Sequence, residues 1–161
     1  MIRYEQLQSH EASRLRAVRL RALQDAPDAF GATFAETSAR TEGDWGKQIA
    51  ELPTFVAVED GRDLAMVRCK RDQHRADTAW LLSMWVAPEA RRARVGSALV
   101  DLVVAWARSN GIARLLLDVA DANVAAVAFY ESKGFRRNGN VGSLPPPRQH
   151  IREHQRELAL D

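Results

Sequence analysis

An uninterrupted apolar run in the middle of the chain constrains the fold more than any other feature of the sequence. The run is TAWLLSMWV, from Thr78 to Val86, and it contains no charged residue. Strands that are buried on both faces have this pattern, because neither face meets water. We therefore expect residues 78–86 to form a central strand of a sheet that has helices on both faces.

Strand and helix patterns alternate on either side of this run. Before it, the sequence predicts a strand at 2–7, helices at 9–26 and 41–52, and two strands at 54–59 and 64–69 that are joined by a turn at Asp60 and Gly61. After it, we expect a helix at 94–110, a strand at 113–119, a helix at 123–133, a strand that starts at 135–137, a loop at 138–148 and a last strand at 151–160. This order favours an α+β fold of three layers, with helices on both faces of a central mixed, mostly antiparallel sheet.

The properties of the whole chain exclude several classes of protein. The 161 residues suit a single domain, 1–161, and a net charge of +2 gives no reason to expect nucleic acid or a membrane surface as a partner. Cys69 is the only cysteine, so no internal disulfide is available and a reducing compartment is indicated. The charged first residues lack the apolar core of a secretory signal, and no segment reaches the roughly 18–20 apolar residues of a membrane span. We expect a cytoplasmic protein.

Three arginines and a glycine follow the apolar run, at the predicted start of the next helix. The segment is RRARVGSALV, from Arg91 to Val100. A helix start leaves backbone N–H groups without partners and carries a partial positive charge, so it binds phosphate well. Gly96 lets a ligand approach the backbone, Ser97 offers a hydroxyl donor, and arginine side chains fit phosphate oxygens. From these features alone, an anion site and a solvated basic turn are equally good interpretations.

The longer segment VAPEARRARVGSALV, residues 86–100, resembles the acyl-CoA-binding motif of the GCN5-related N-acetyltransferase (GNAT) superfamily. In that motif an Arg or Gln is followed after two residues by Gly, and after one more residue by Gly or Ala, between a strand and a helix. Arg91 matches the first position and Gly96 the last, whereas Arg94 replaces the middle glycine. We expect Arg94 to be right-handed and to offer mainly its backbone amide. The resemblance implies that coenzyme A is contacted by Met84, Val86, Arg91, Arg92, Arg94, Val95, Gly96 and Ser97.

A second segment, NVAAVAFYESKGF at 123–135, is similar to a later motif of the same superfamily, in which Asn, a helix, Tyr and Gly-Phe follow one another. Asn123 and Tyr130 are seven residues apart, so they lie on nearly the same face of a helix. Taken alone, Asn123 is better interpreted as a helix cap and Tyr130 as a tyrosine at the edge of the core. Two motifs in the right order outweigh that interpretation, and the resemblance implies that both side chains bind coenzyme A.

The resemblance implies an enzyme that transfers an acetyl group from acetyl-CoA directly to a primary amine, without a metal. It implies that a strand amide near Val86 polarises the thioester carbonyl and that Tyr130 protonates the departing thiolate. A tyrosine pKa of ~10 is a fair match to a thiol pKa of ~8.5. The base that deprotonates the amine is left open among Asp118, Asp121 and Glu153. A non-catalytic acyl-CoA sensor is the alternative, and nucleic-acid binding through the arginines is a weaker one.

The sequence leaves the acceptor open among small amines, peptide termini and protein lysines, and it leaves a homodimer open as well. The resemblance implies that two segments shape the acceptor site, DAPDAFGATFAET at 25–37 and GNVGSLPPPR at 139–148. Cys69 is interpreted as a packed strand residue, and the four histidines form no recognisable metal pattern. The arginines of the first predicted helix are interpreted as a solvated face; they are Arg14, Arg16, Arg19 and Arg21.

Overall fold

The computed structural model describes residues 1–161, and seven strands and five α-helices account for most of them. The strands are β1 (Arg3–Gln6), β2 (Thr54–Glu59), β3 (Arg62–Arg71), β4 (Thr78–Val86), β5 (Arg114–Ala120), β6 (Arg136–Ser143) and β7 (Arg152–Ala159). The α-helices are α1 (Ala12–Asp25), α2 (Phe34–Ser38), α3 (Glu42–Glu51), α4 (Val95–Ser109) and α5 (Val124–Ser132). No helix combines the length and the apolar character that crossing a membrane requires.

The seven strands form one sheet in the order β1-β2-β3-β4-β5-β7-β6. Every neighbouring pair is antiparallel except β4 and β5, which are parallel and are connected through α4. The apolar run Thr78–Val86 is β4, in the middle of the sheet. The predicted α+β fold with a mixed, mostly antiparallel sheet is confirmed.

Helices cover both faces of the sheet, so the fold has three layers. On one face, Leu15 and Leu23 of α1 and Trp45 of α3 pack against Met66 and Trp85. We call this the α1/α3 face. On the other, the α4/α5 face, a second core joins α4 and α5 to strand residues; it includes Val67, Leu99, Val103, Leu117 and Tyr130. The buried stripe of each helix thus faces the apolar sheet, as helical spacing requires.

β4 diverges from β5 and also carries a bulge. It pairs with β5 only from Thr78 to Trp80. On its other side, Leu82 pairs with Arg68 of β3, whereas Trp85 pairs with Met66, so β4 has one extra residue at this point. The extra residue is accommodated at Ser83, whose φ of 57° is left-handed. Because a bulge reverses the alternation of side chains, Leu82 before it and Trp85 after it both lie on the α1/α3 face.

Two predicted boundaries are wrong. Residues 138–143 were expected in a loop, but they belong to β6, which lies at the edge of the sheet. The pairing of β6 with β7 shifts register between Arg137 and Val141, where Gly139 has φ 92°. An edge strand tolerates such a bulge, so glycine and asparagine here give an irregular strand instead of a loop. The first helix begins at Ala12, after a 3₁₀ turn at Ser9–Glu11.

Candidate functional site

A cavity of about 1240 Å³ opens where β4 and β5 diverge. Its walls come from both strands, from the turn between β4 and α4, from the first turn of α4, and from α5. The loops after α1 and after β6 line its other end. The structure brings all ten predicted coenzyme A-binding residues together in this cavity; they are Met84, Val86, Arg91, Arg92, Arg94, Val95, Gly96, Ser97, Asn123 and Tyr130.

The start of α4 presents unpaired backbone amides to the cavity. The first helical hydrogen bond there runs from the Ala98 amide to the carbonyl of Arg94, at 3.1 Å. The amides of Val95, Gly96 and Ser97 therefore precede the helical ladder, at the positive end of a helix of 15 residues. Such an arrangement is able to bind an anion.

The conformation of Arg94 differs from the right-handed one expected from the sequence. Arg94 is the N-cap of α4 and has φ 58° and ψ 22°, in the left-handed region. Arg92 in the same turn also has a positive φ, of 74°. Glycine adopts this conformation freely, whereas an L-residue does so at a cost of roughly 1–2 kcal/mol. The turn therefore keeps a backbone shape suited to glycine although the residue at position 94 is arginine.

The side chain of Arg91 fixes this turn to the rest of the protein. Its Nη2 donates to Asp25 Oδ2 at 2.8 Å, and its Nε donates to the carbonyl of Val86 at 3.1 Å. Trp85 Nε1 donates to the same Asp25 oxygen at 2.9 Å. Asp25 thus joins the end of α1, the end of β4 and the arginine turn.

The backbone of β4 beyond the bulge points into the opening. The amide of Ala87 donates to the carbonyl of Leu64 at 2.7 Å, so Ala87 forms a hydrogen-bonded pair with this residue of β3. Amide directions alternate along an antiparallel strand, so the amide of Val86 points away from β3 and toward the gap. β5 no longer pairs with β4 at this level. The Val86 amide is therefore free to bind a carbonyl oxygen.

Lys133 is a site residue that the sequence analysis missed. Its Nζ donates to Ser97 Oγ at 2.9 Å and to Asp101 Oδ1 at 2.8 Å, and its side chain lines the cavity. It adds a cation beside the start of α4. The two helices are in close contact here, since a Cβ at position 96 would lie within van der Waals contact of the Phe129 ring, 3.4 Å from its Cζ. Only the packing of α5 on α4 places Lys133 at the site, so sequence spacing gives no signal for it.

Asn123 and Tyr130 occupy two ends of α5. Asn123 caps the helix, with its Oδ1 accepting from the Ala126 amide at 3.3 Å. Tyr130 is buried, and its ring centroid lies 5.3 Å from that of Phe129 and 5.9 Å from that of Phe135. Burial raises the pKa of the Tyr130 hydroxyl above its usual range, so the group stays protonated at neutral pH. This hydroxyl makes no hydrogen bond within the chain.

The three carboxylates considered as bases lie in different environments. Asp118 and Glu153 line the cavity, and burial raises the pKa of each. The charges of Asp118 and Asp121 raise the pKa of Glu153 further. Asp121 instead contacts Nδ1 of His154 at 2.6 Å, and this hydrogen bond lowers its pKa. A carboxylate with a raised pKa is the better proton acceptor. The raised pKa of Glu153 and Asp118, together with their place in the cavity wall, makes them better candidates for the base than Asp121.

A bridge joins the two loops that line the other end of the cavity. Arg148, in the loop after β6, donates from Nη1 to the carbonyls of Pro27 and Phe30 at 2.7 and 3.0 Å. Its Nη2 donates to the carbonyl of Gly31 at 2.9 Å. The two segments that the resemblance implied for the acceptor site are therefore in direct contact.

The interpretation of the α1 arginines as a solvated face is wrong for three of the four. Only Arg16 is exposed. Arg14 forms ion pairs, including one to Asp63 at 2.6 Å, and Arg21 lies over the ring of Trp85. Arg19 is buried, with 4% of its surface exposed, and it lines the cavity. The apolar stripe that holds Leu15, Val18, Ala22 and Leu23 also includes position 19.

Comparison with known proteins identifies the family. The chain matches the profile of the Acetyltransferase (GNAT) family over residues 19–135, and it belongs to that family. Its fold is that of a GNAT-family acetyltransferase from Streptococcus pneumoniae, with a TM-score of 0.84 and 19% sequence identity over 100% of both chains.

Two curated relatives illustrate the range of the family. Mycothiol acetyltransferase from Stackebrandtia nassauensis is 30% identical over 133 residues, which are 79% of this chain and 42% of the relative. The [ribosomal protein bS18]-alanine N-acetyltransferase of Escherichia coli is 39% identical over 59 residues, 37% of this chain and 40% of the relative. The chain thus spans about two fifths of the length of these curated relatives.

Proposed function

We propose that this protein is an N-acetyltransferase that moves the acetyl group of acetyl-CoA to a primary amine. One observation carries the proposal: a single cavity holds the unpaired amides at the start of α4, the free edge of β4 and Tyr130. Membership of the GNAT family supports the same activity.

The cavity suits the parts of coenzyme A. The backbone amides of Arg94, Val95, Gly96 and Ser97 would hold its pyrophosphate, with Lys133 adding positive charge. The thioester arm would lie in the gap between β4 and β5, where the Val86 amide is free to bind the thioester carbonyl. A volume of about 1240 Å³ exceeds the roughly 300–1,000 Å³ of a single small-molecule site, so a cosubstrate and an acceptor fit together.

The chemistry is a direct transfer in which the amine nitrogen attacks the thioester carbon. The C–N bond forms, the C–S bond breaks, and negative charge collects first on the carbonyl oxygen and then on sulfur. The Val86 amide stabilises the first charge, and Tyr130 gives its proton to the second. Glu153, with Asp118 beside it, takes the proton that the amine must lose. No covalent enzyme intermediate is needed.

The test measures binding and turnover separately. Acetyl-CoA should bind in calorimetry and should raise the melting temperature, because it binds only the native state. Thiol release from acetyl-CoA is then followed with a panel of amines. Absence of binding at millimolar acetyl-CoA would show that the proposal is wrong. Binding without thiol release from any amine would favour the alternative, a non-catalytic acyl-CoA sensor.

A further inference from the structure

A buried arginine without a partner lies at the acceptor end of the cavity. Arg19 has only 4% of its surface exposed, and its Nη1 is buried without any hydrogen-bond partner. Its guanidinium carbon lies 4.5 Å from the centroid of the Phe30 ring, in the loop that Arg148 holds. No carboxylate forms an ion pair with it. An unpaired buried charge is costly to the folded protein, so its presence in a cavity wall points to a ligand.

A second buried arginine lies on the same face of the sheet. Arg68 of β3 is 7% exposed and lines the same cavity. It donates from Nε and Nη2 to Ser83 Oγ at 2.9 and 2.8 Å, and from Nη1 to Gln48 Oε1 at 2.7 Å. Each of these partners is neutral, so the positive charge of Arg68 is also uncompensated. One N–H remains on each terminal nitrogen of this guanidinium.

The two guanidinium groups create a positive region with no counterion. Burial, together with the charges of Arg68 and Arg40, lowers the pKa of Arg19 to about 9. Burial and the charge of Arg40 lower the pKa of Arg68 to about 10. Both groups therefore remain charged at neutral pH, in surroundings that favour an anion.

The start of α4 and this positive region lie on opposite faces of the sheet. Met66 belongs to the α1/α3 core, and Arg68, two residues further along β3, is on the same face. The α4 helix packs on the other face. The cavity passes between the faces through the gap between β4 and β5. Coenzyme A at the α4 end and an anion at Arg19 therefore approach this gap from opposite sides.

Acidic groups share the α1/α3 face with the two arginines. Leu117 and Val119 of β5 belong to the α4/α5 core, so Asp118 between them faces the opposite way. Glu153 pairs with Ala120 and shares its face. The acceptor end thus has acids on one wall and arginines on another, an arrangement that complements a molecule with both a positive and a negative group.

We infer that the acceptor is a small amine that also carries a carboxylate, an amino-acid-type molecule whose carboxylate binds between Arg19 and Arg68. This inference rests on the proposed function and specifies its second substrate. The amine lies toward Glu153 and Asp118, which remove its proton, while the guanidinium groups hold the other end. The bridge formed by Arg148 ties together the two loops that line this end of the cavity, which favours a small molecule over a protein surface.

The test compares matched amines on the full chain. The panel contains the L-amino acids, the corresponding amino acid amides, aminoalkylphosphonates and peptides with a neutral second residue. Initial rates of thiol release give kcat/KM for each, and the melting temperature with each compound alone gives a readout that does not depend on acetyl-CoA. At least one amino acid should exceed its own amide by tenfold or more in kcat/KM, since hydrogen bonds to charged groups are the strong ones.

Arg19→Met and a control on the same helix complete the test. Arg19→Met should remove the preference for the carboxylate through KM, leave acetyl-CoA affinity unchanged, and keep or raise the melting temperature because an unpaired buried charge is gone. Arg16→Met, at an exposed position, should change none of these. If Arg19→Met does not fold, Arg19→Gln gives the same comparison.

Four results would overturn the inference. These are amides or peptides that are as good as the amino acids, a preference for phosphonates, an unchanged preference in Arg19→Met, and a loss of acetyl-CoA affinity in that variant. A wild-type protein that binds amino acids in preference to amides but does not bind acetyl-CoA would refute the proposed function and leave the anion site standing.

Discussion

Replacing Arg94 by glycine tests both the strain in the turn and the way in which the turn binds coenzyme A. Arg94 has φ 58°, and its exposed side chain makes no ion pair within the chain. The substitution removes a left-handed L-residue, which costs roughly 1–2 kcal/mol. Glycine also has more conformational freedom in the unfolded chain, and this offsets about 0.5–1 kcal/mol of the gain in stability. We expect the variant to be more stable by about 0.5–1 kcal/mol, or about 1–4 °C in Tm for a protein of this size.

Thermal unfolding and acetyl-CoA titration on the same samples provide the assay. Ala93→Gly is the matched control, because Ala93 is exposed in the same turn and does not have a positive φ. Ala93→Gly should destabilise the protein by about 0.5–1 kcal/mol, because it relieves no backbone strain and only adds conformational entropy to the unfolded chain. Acetyl-CoA affinity should stay within about threefold in Arg94→Gly if position 94 contributes its backbone. A lower Tm in Arg94→Gly would refute the strain argument, and a loss of affinity above tenfold, about 1.4 kcal/mol, would show that the guanidinium binds the cosubstrate.

Three further predictions concern the chemistry and the acceptor end. Tyr130→Phe should lower kcat by ~10²–10⁴ with little change in acetyl-CoA affinity, and an unchanged kcat under conditions where chemistry limits the rate would remove Tyr130 from the mechanism. Because the pKa of Glu153 is raised above its usual 4.5, kcat/KM should rise with pH through an inflection above that value. Glu153→Gln should abolish this rise of kcat/KM with pH. A rise that persists in the variant would show that another group is responsible. Arg148→Ala loses three hydrogen bonds to carbonyls and should raise the acceptor KM without affecting acetyl-CoA binding, whereas an unchanged acceptor KM would show that the bridge does not shape the site.

The fold and the position of the candidate anion site at the start of α4 could be predicted because their signals are local. An apolar run gives the buried strand, and helical spacing gives α4 and its start beside Gly96. The register of the edge strand could not be predicted, because the glycine and asparagine residues around Gly139 are as typical of a loop as of a bulge. The bulge at Ser83 gave no signal either, because a single serine within an apolar run is compatible with regular pairing.

The end of the cavity proposed for the acceptor was predicted less well because it depends on tertiary contacts. Arg19 lies in the apolar stripe of α1, and that position was a signal for its burial. The signal was outweighed by the general rule that arginines on a helix are solvated. The approach of Arg68 to Ser83, and of Lys133 to Ser97, joins residues on separate elements. Only the packed structure brings such pairs together.

Under the proposed function, the bonds between Arg68 and the bulge of β4 limit how the acceptor specificity could change. Ser83 accepts two hydrogen bonds from Arg68, so the side chain proposed to bind the acceptor also supports the strand proposed to bind the thioester carbonyl. Replacing Arg68 would change the recognition of the acceptor and the shape of the acetyl-CoA groove at once. Arg19 has no hydrogen bond within the chain and can be exchanged without that second effect. Divergence toward neutral or cationic acceptors would therefore begin at α1, with β3 and β4 retained as a common frame.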